Sequence, residues 1–226
     1  FAAASGRQYT SIVSKLQPIK DEIYIIAENG GLAMYADREI ISTPLNGTIT
    51  NTILDSLKGS DQVHPVLCAR DNAFISGHSE DFIRILKEYY TEFEIIDDLH
   101  NFKEEVMKVA VYHFESSEKF IYPLVAPFEQ KLMVKISGQH WVDISHPNAH
   151  KGYALQKIQS QLGIGPDETL VFGDYNNDLE MMALSDYSFA MANAHPNVLK
   201  AAKYHTDSND QFGVENILEN LLKSLS

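Results

Sequence analysis

Asp174, Asn177 and Asp178 stand together in Gly173-Asp174-Tyr175-Asn176-Asn177-Asp178, directly after the apolar run Thr169-Leu170-Val171-Phe172. Carboxylates at the end of a buried strand need a cation or hydrogen-bond donors to offset their desolvation. In open α/β sheets such groups gather at the carboxyl ends of strands, where ligands bind. Magnesium with a phosphate fits them, because it favours carboxylate oxygens together with water and substrate phosphate. Asn177 can donate to a phosphate oxygen without adding negative charge. Ser5-Gly6, after Phe1-Ala2-Ala3-Ala4, offers a hydroxyl and backbone amides to phosphate oxygens. Lys151, opening a later helix, supplies a positive charge. Hydroxyl, lysine, carboxamide and carboxylates around a metal suit a phosphoryl group in transfer. Singly, each has a plainer reading as a strand-to-helix turn, a solvated helix lysine or a capping loop. Their conjunction and order carry the functional reading.

The elements that position these residues follow from periodicity. Phe1–Ala4 reads as a strand, and Tyr9, Ile12, Val13 and Leu16 mark a helix face that Pro18 ends. Residues 22–27 read as a second buried strand, closed by Glu28-Asn29-Gly30-Gly31. Strand–helix–strand order with short loops predicts a doubly wound parallel sheet. Residues 31–35 and 39–41 then suggest a hairpin around Ala36-Asp37-Arg38, leading out of the core. The middle of the chain has its own rhythm. Helices are predicted through Ile49–Leu57 and through Phe82–Phe93, with strands at 63–69, 73–76, 107–114, 133–137 and 140–144. From Pro147 the doubly wound pattern resumes, with helices at 154–162, 179–184, 195–202 and 214–222, strands at 170–172 and 188–191, and Gly163 as a C-cap. The expectation is an α/β fold with a Rossmann-like parallel-sheet core, residues 1–31 and 143–226, split by an inserted α/β cap domain, residues 32–142.

Composition limits the possibilities. The 226 residues suffice for two modest domains, and 44% hydrophobic with 22% charged residues is ordinary for a globular protein. A formal charge of −13 argues against a nucleic-acid binder and leaves a phosphorylated substrate to be held by local cations. Cys68, the single cysteine, lies in an apolar run and reads as a small core residue in a reducing cytoplasm. No apolar run approaches the roughly 18 residues of a membrane-spanning helix, and no membrane partner is expected. The nine histidines read as surface or structural; His150 and His195, close in sequence to the proposed site, read first as structural, with substrate contact as the alternative. Trp141 and the tyrosines of the middle segment read as core or as the lining of a substrate pocket.

These motifs resemble those of the haloacid dehalogenase superfamily, in particular its Cof-type sugar-phosphatase-like branch with a large cap. Phe1–Arg7 resembles the motif whose Ser or Thr binds the transferring phosphoryl group, and Glu28-Asn29-Gly30-Gly31 resembles the branch's Glu-Asn-Gly-Ala. Lys151-Gly152 resembles the motif whose Lys bridges phosphate and nucleophile. Gly173–Asp178 matches Gly-Asp-x-x-Asn-Asp. Met191-Ala192-Asn193-Ala194 resembles Met-Gly-Asn-Ala with Ala192 in place of Gly, and Thr206–Asn209 with Gly213-Val214 matches the closing segment. The resemblance implies magnesium-dependent hydrolysis of a small phosphomonoester, a sugar phosphate or similar metabolite. Ser5, Gly6, Lys151 and Asn177 would bind phosphate, and Asp174 and Asp178 would hold the metal.

It further implies an attacking Asp that forms an aspartyl-phosphate and a second Asp as general acid and base, both in an Asp-x-Asp-Gly-Thr motif. This sequence has no such motif. The nucleophile is expected on a core strand upstream of Phe1, in a segment of roughly 30–40 residues, and residues 1–226 alone are expected to be inactive. A phosphomutase of the same superfamily and a catalytically inactive phospho-ligand binder are the alternatives. Neither the substrate nor the oligomeric state is legible.

Overall fold

Burial follows the strand alternation expected of two-faced sheets. In the computed structural model, which describes residues 1–77, 79–90 and 92–225, the chain forms two compact units, Phe1–Ala149 and His150–Ser226.

The first unit holds two sheets. One has the order β1 (Ala2–Ala4), β2 (Tyr24–Ala27), β3 (Leu32–Tyr35), β4 (Arg38–Ser42). β1 and β2 are parallel, joined through helix α1 (Tyr9–Lys15), and β3 returns antiparallel to β2. The expected hairpin forms as β3–β4, with Ala36 at φ 50° in its turn. Ile12, Ile25, Leu32 and Met34 make the core of this sheet.

The second sheet uses β5 (Val63–Ala69), β6 (Ala73–Ile75), β7 (Phe93–Ile95), β8 (Val106–His113), β9 (Met133–Ile136) and β10 (Trp141–Ser145), ordered β7-β6-β5-β8-β10-β9. Its residues alternate between two cores. Leu67, Val109, Val111, Val142 and Ile144 face Ile53, Leu54 and Leu57 of α2 (Gly47–Leu57). Val66, Cys68, Ala110, Tyr112 and Trp141 face Phe82 and Leu86 of α3 (Glu80–Tyr89). Asn46 caps α2, its side chain accepting from the amides of Thr48 and Ile49. Ser79 caps α3 by accepting from Phe82 N. Such caps are preferred because they satisfy amides that have no partner in the first turn.

Two expectations are corrected here. Phe93 lies in strand β7 and not on the α3 face. Residues 117–130, read as no element, form short helices α4 (Ser117–Phe120) and α5 (Tyr122–Val125) with a 3-10 turn, and they bury Ile121 and Val125.

The second unit is a parallel sheet of β11 (Leu170–Gly173), β12 (Tyr187–Met191) and β13 (Tyr204–Thr206), the last unforeseen. Helices α6 (Lys151–Leu162), α7 (Leu179–Met182), α8 (Pro196–Ala201) and α9 (Gly213–Leu225) alternate with the strands. Gly163 closes α6 at φ 69°, as its C-cap role requires. The α/β class and the parallel elements are as expected. Among the described residues, no helix is long and apolar enough to cross a membrane.

Ile53 is fully buried between α2 and the larger sheet. Ile53→Ala should lower unfolding stability by about 2–5 kcal/mol, read as an earlier urea midpoint with an unchanged slope.

Candidate functional site

In the second unit, Gly173 ends β11 and the chain turns through a 3-10 helix, Asn176–Asp178, into α7. Asp178 is buried and its carboxylate organises the turn. Oδ2 accepts from the amides of Asp174 at 3.0 Å and Tyr175 at 3.2 Å, and Oδ1 accepts from Lys151 Nζ at 2.7 Å. Both side chains of this ion pair are about 94% removed from solvent, at 6% relative exposure each. The close approach explains two glycines. A Cβ on Gly173 would lie 2.8 Å from Asp178 Cβ, and one on Gly152 would lie 2.5 Å from Glu180 Cβ, where α6 crosses α7.

Asp174 is exposed at the tip of the turn, and its carbonyl accepts from His195 N at 2.8 Å. Asn177 follows in the same turn, half-buried. The structure therefore brings Lys151, Asp174, Asn177 and Asp178 to the carboxyl end of β11. Lys151 reaches it because His150 caps α6, its Nδ1 accepting from Tyr153 N, so that the helix starts at the lysine. His195 caps α8 in the same way through Asn197 N. His146 and His150 stand at His-x-x-x-His spacing, yet each ring accepts a nearby backbone amide, so their roles are structural.

In the first unit, Ser5 and Gly6 lie at the carboxyl end of β1, stitched to the turn that follows β2. Ser5 N donates to Ile26 O, Asn29 N donates to Ser5 O, and Glu28 N donates to Arg7 O. Ser5 Oγ accepts from Arg7 N at 3.2 Å. A Cβ on Gly6 would meet Asn29 Oδ1 at 2.8 Å, so a larger residue there would have to displace the Asn29 side chain. Glu28 and Asn29 both have positive φ, 49° and 55°, a conformation that costs non-glycine residues about 1–2 kcal/mol each. Strain of this kind gathers at functional sites.

That strained turn delivers Glu28 into a buried cluster that sequence reasoning missed. Lys108 Nζ on β8 lies 3.4 Å from Glu28 Oε2 and 3.7 Å from Asp143 Oδ2 on β10. Burial pushes the Glu28 carboxyl above its ordinary range, only partly countered by Lys108. Burial alone would lower the lysine, but Asp143 and Glu28 outweigh it and hold Lys108 well above its usual value. A lysine inside the otherwise apolar run Val106–Tyr112 is the sequence signal that could have revealed the cluster. Beside it lies a cavity of about 370 Å³ lined by Gly6, Arg7, Lys108, Asp143, Tyr89 and Trp141, among others. Trp141 belongs to the α3-side core and also to the wall of this cavity. Cys68, buried with its thiol pushed up to about 12 by burial, is the inert core residue expected.

Magnesium is bound through one or two carboxylates plus waters and substrate phosphate. Among the described residues, no group of three or more His, Cys, Asp or Glu side chains converges to hold a metal. Two carboxylates at one turn meet the requirement. A carboxylate has about four lone-pair positions, and Asp178 commits Oδ2 to two amides and part of Oδ1 to Lys151. Asp174 is thus suited to direct coordination, and Asp178 to holding a metal-bound water.

This chain matches the family described as haloacid dehalogenase-like hydrolase over residues 1–218, and it belongs to that family. It is 30% identical over 228 residues to the 5-amino-6-(5-phospho-D-ribitylamino)uracil phosphatase YbjI of Escherichia coli (strain K12), covering 99% of this chain and 83% of that protein. A solved structure from Eubacterium rectale superposes with a TM-score of 0.92 at 24% identity, over 98% of this chain and 85% of that one. The subclass IIB sugar phosphatase BT4131 superposes with a TM-score of 0.76 at 19% identity, over 97% of this chain and 84% of that one.

Removing the lysine would leave Asp178 buried beside two amides with no counter-ion. Lys151→Met should destabilise the protein by about 3–5 kcal/mol, measured by urea unfolding. A loss below about 1 kcal/mol would mean that the pair is solvated as surface pairs are.

Proposed function

We propose that the protein is a magnesium-dependent phosphomonoesterase acting on a small phosphorylated metabolite. The observation that carries this reading is the Asp174–Asp178 turn, clamped from within by Lys151 and presenting the Asp174 carboxylate to solvent. Family membership and the phosphatase names of the relatives support it. The relative from Escherichia coli makes a ribityl-bearing phosphate one substrate to try, beside sugar phosphates.

In this reading residues 1–31 and 143–226 form the catalytic core and residues 32–142 the cap. Ser5 and Gly6 hold phosphoryl oxygens through the hydroxyl and backbone amides. Lys151 and Asn177 neutralise and orient the group, Asp174 binds magnesium, and Asp178 positions both the lysine and metal-bound water. Magnesium, when bound, neutralises charge that builds on the phosphoryl oxygens. The nucleophile is an Asp upstream of Phe1. Its oxygen bonds to phosphorus as the ester P–O bond breaks, and a second Asp protonates the departing oxygen. Water then displaces the aspartyl oxygen and releases inorganic phosphate. The protein works in the cytoplasm, in keeping with its single, unpaired, buried cysteine.

Asp174→Ala in the full-length protein should abolish magnesium-dependent phosphate release and leave the unfolding free energy within about 0.5 kcal/mol, as for other exposed positions. Unchanged turnover would overturn the site assignment, and an isomerised phosphate product in place of free phosphate would identify a mutase.

A further inference from the structure

Glu28 and Asn29, both at positive φ, hold two carbonyls of the Ser5–Arg7 turn. Asn29 N donates to Ser5 O at 3.1 Å, and Glu28 N donates to Arg7 O at 3.0 Å. Among the described residues every peptide bond is trans, and across a trans peptide a carbonyl and the next amide point in opposite directions. Tying Ser5 O to Asn29 N therefore aims the Gly6 amide away from residues 28 and 29. Ser5 Oγ accepts from Arg7 N at 3.2 Å, which leaves the hydroxyl proton to donate. The two groups that the phosphatase reading gives to phosphoryl oxygens are thus oriented by the turn after β2.

That turn has an anchor. A left-handed backbone is unfavourable for both of its residues, and the Glu28 side chain, at 2% exposure, is drawn inward toward Lys108 Nζ at 3.4 Å. Neither carboxylate oxygen of Glu28 makes a hydrogen bond to a described residue. A buried carboxylate met by one cation alone is costly, and apolar residues in place of such a pair are often neutral or stabilising. A costly charge at the root of a strained turn points to position and not to stability.

Resting on the phosphatase reading above, we infer that Glu28 is a positioning residue: paired with Lys108, it locks the Glu28–Asn29 turn and so keeps the Gly6 amide and the Ser5 hydroxyl aimed at the phosphoryl group. Glu28 touches no substrate in this role. A turn that is correctly posed for only a fraction of the time binds more weakly in proportion to that fraction, and saturation with substrate restores it. Loss of the anchor therefore raises KM and spares kcat. Electrostatics alone predicts the opposite sign, since deleting a carboxylate near the site favours an anion.

The probe is inorganic phosphate, titrated calorimetrically into the full-length protein with magnesium. It has no leaving group and so does not report on the cavity beside Lys108. The buffer is mildly alkaline because burial raises the Glu28 carboxyl. Glu28→Gln, in which Lys108 keeps Asp143 as a partner, should weaken phosphate binding at least ~5-fold. KM for p-nitrophenyl phosphate should rise by a similar factor, with kcat within about 2-fold of wild type. Glu28→Gln/Lys108→Met removes both charges of the pair at unchanged net charge. It should show the same loss, and it carries the test where the single variant does not fold. Ile53→Ala, buried between α2 and the larger sheet, should keep phosphate affinity within about 2-fold despite its lower stability. Unchanged or tighter phosphate binding in the Glu28 variants, a loss no larger than in Ile53→Ala, or a fall in kcat with KM unmoved would overturn the inference. A wild type that binds phosphate but does not turn over p-nitrophenyl phosphate would count against the hydrolase reading alone, because the titrations still decide the role of Glu28. A wild type that binds no phosphate would overturn both.

Discussion

A charge inside a protein has to be met by another charge or by several donors, and each unit of this chain is organised around one such arrangement. In the second unit it is Asp178, which accepts from two backbone amides and from Lys151. Those three bonds dictate much else. The turn after β11 must curl tightly, Gly173 and Gly152 must lack side chains, and α6 must begin at Lys151. Asp174 is left at the tip of a rigid turn, where a carboxylate can serve a ligand without reorganising the loop. Preorganisation of this kind is what phosphoryl-transfer chemistry asks of its protein.

The first unit solves a similar problem with Lys108 between two carboxylates. Glu28 reaches the lysine from a turn held at positive φ, and Asp143 reaches it from the neighbouring strand of the larger sheet. The backbone strain of Glu28 and Asn29 is offset by what the turn accomplishes. It pairs with the Ser5–Arg7 turn through backbone bonds and places the cluster against the cavity next to Gly6. Buried pairs of this sort add little net stability, since desolvation consumes most of the attraction. Their value is positional, because each fixes where a charge stands and whether it is available to a ligand.

Local patterning made most of the elements legible. The run before Gly173, the amphipathic spacing of Ile53, Leu54 and Leu57, and Gly163 after Leu162 all correspond to elements close to the expected bounds. Phe93 misled because an aromatic residue a few positions beyond a helical stripe fits that stripe equally well, and only pairing with β6 puts it in a strand. Residues 117–130 were missed because their helices are too short for periodicity to declare itself, and they are held by burial of Ile121 and Val125 against the larger sheet.

By itself, the sequence determined the chemistry-bearing motifs, the α/β class, the strand ends at which Ser5 and Asp174 stand and the helix start at Lys151, because these depend on local propensity and short spacing. Only the tertiary structure decided which of these side chains are already engaged. Asp174 and Asp178 look alike in Gly-Asp-x-x-Asn-Asp, yet one is exposed and the other is buried around Lys151. Glu28, Lys108 and Asp143 are far apart in the chain and share no motif, so their meeting is invisible until β8 and β10 pair and the turn after β2 comes to lie against them. The physical reason is that burial and charge pairing are non-local. A carboxylate's chemistry depends on what surrounds it in space, and sequence spacing reports only what lies beside it in the chain.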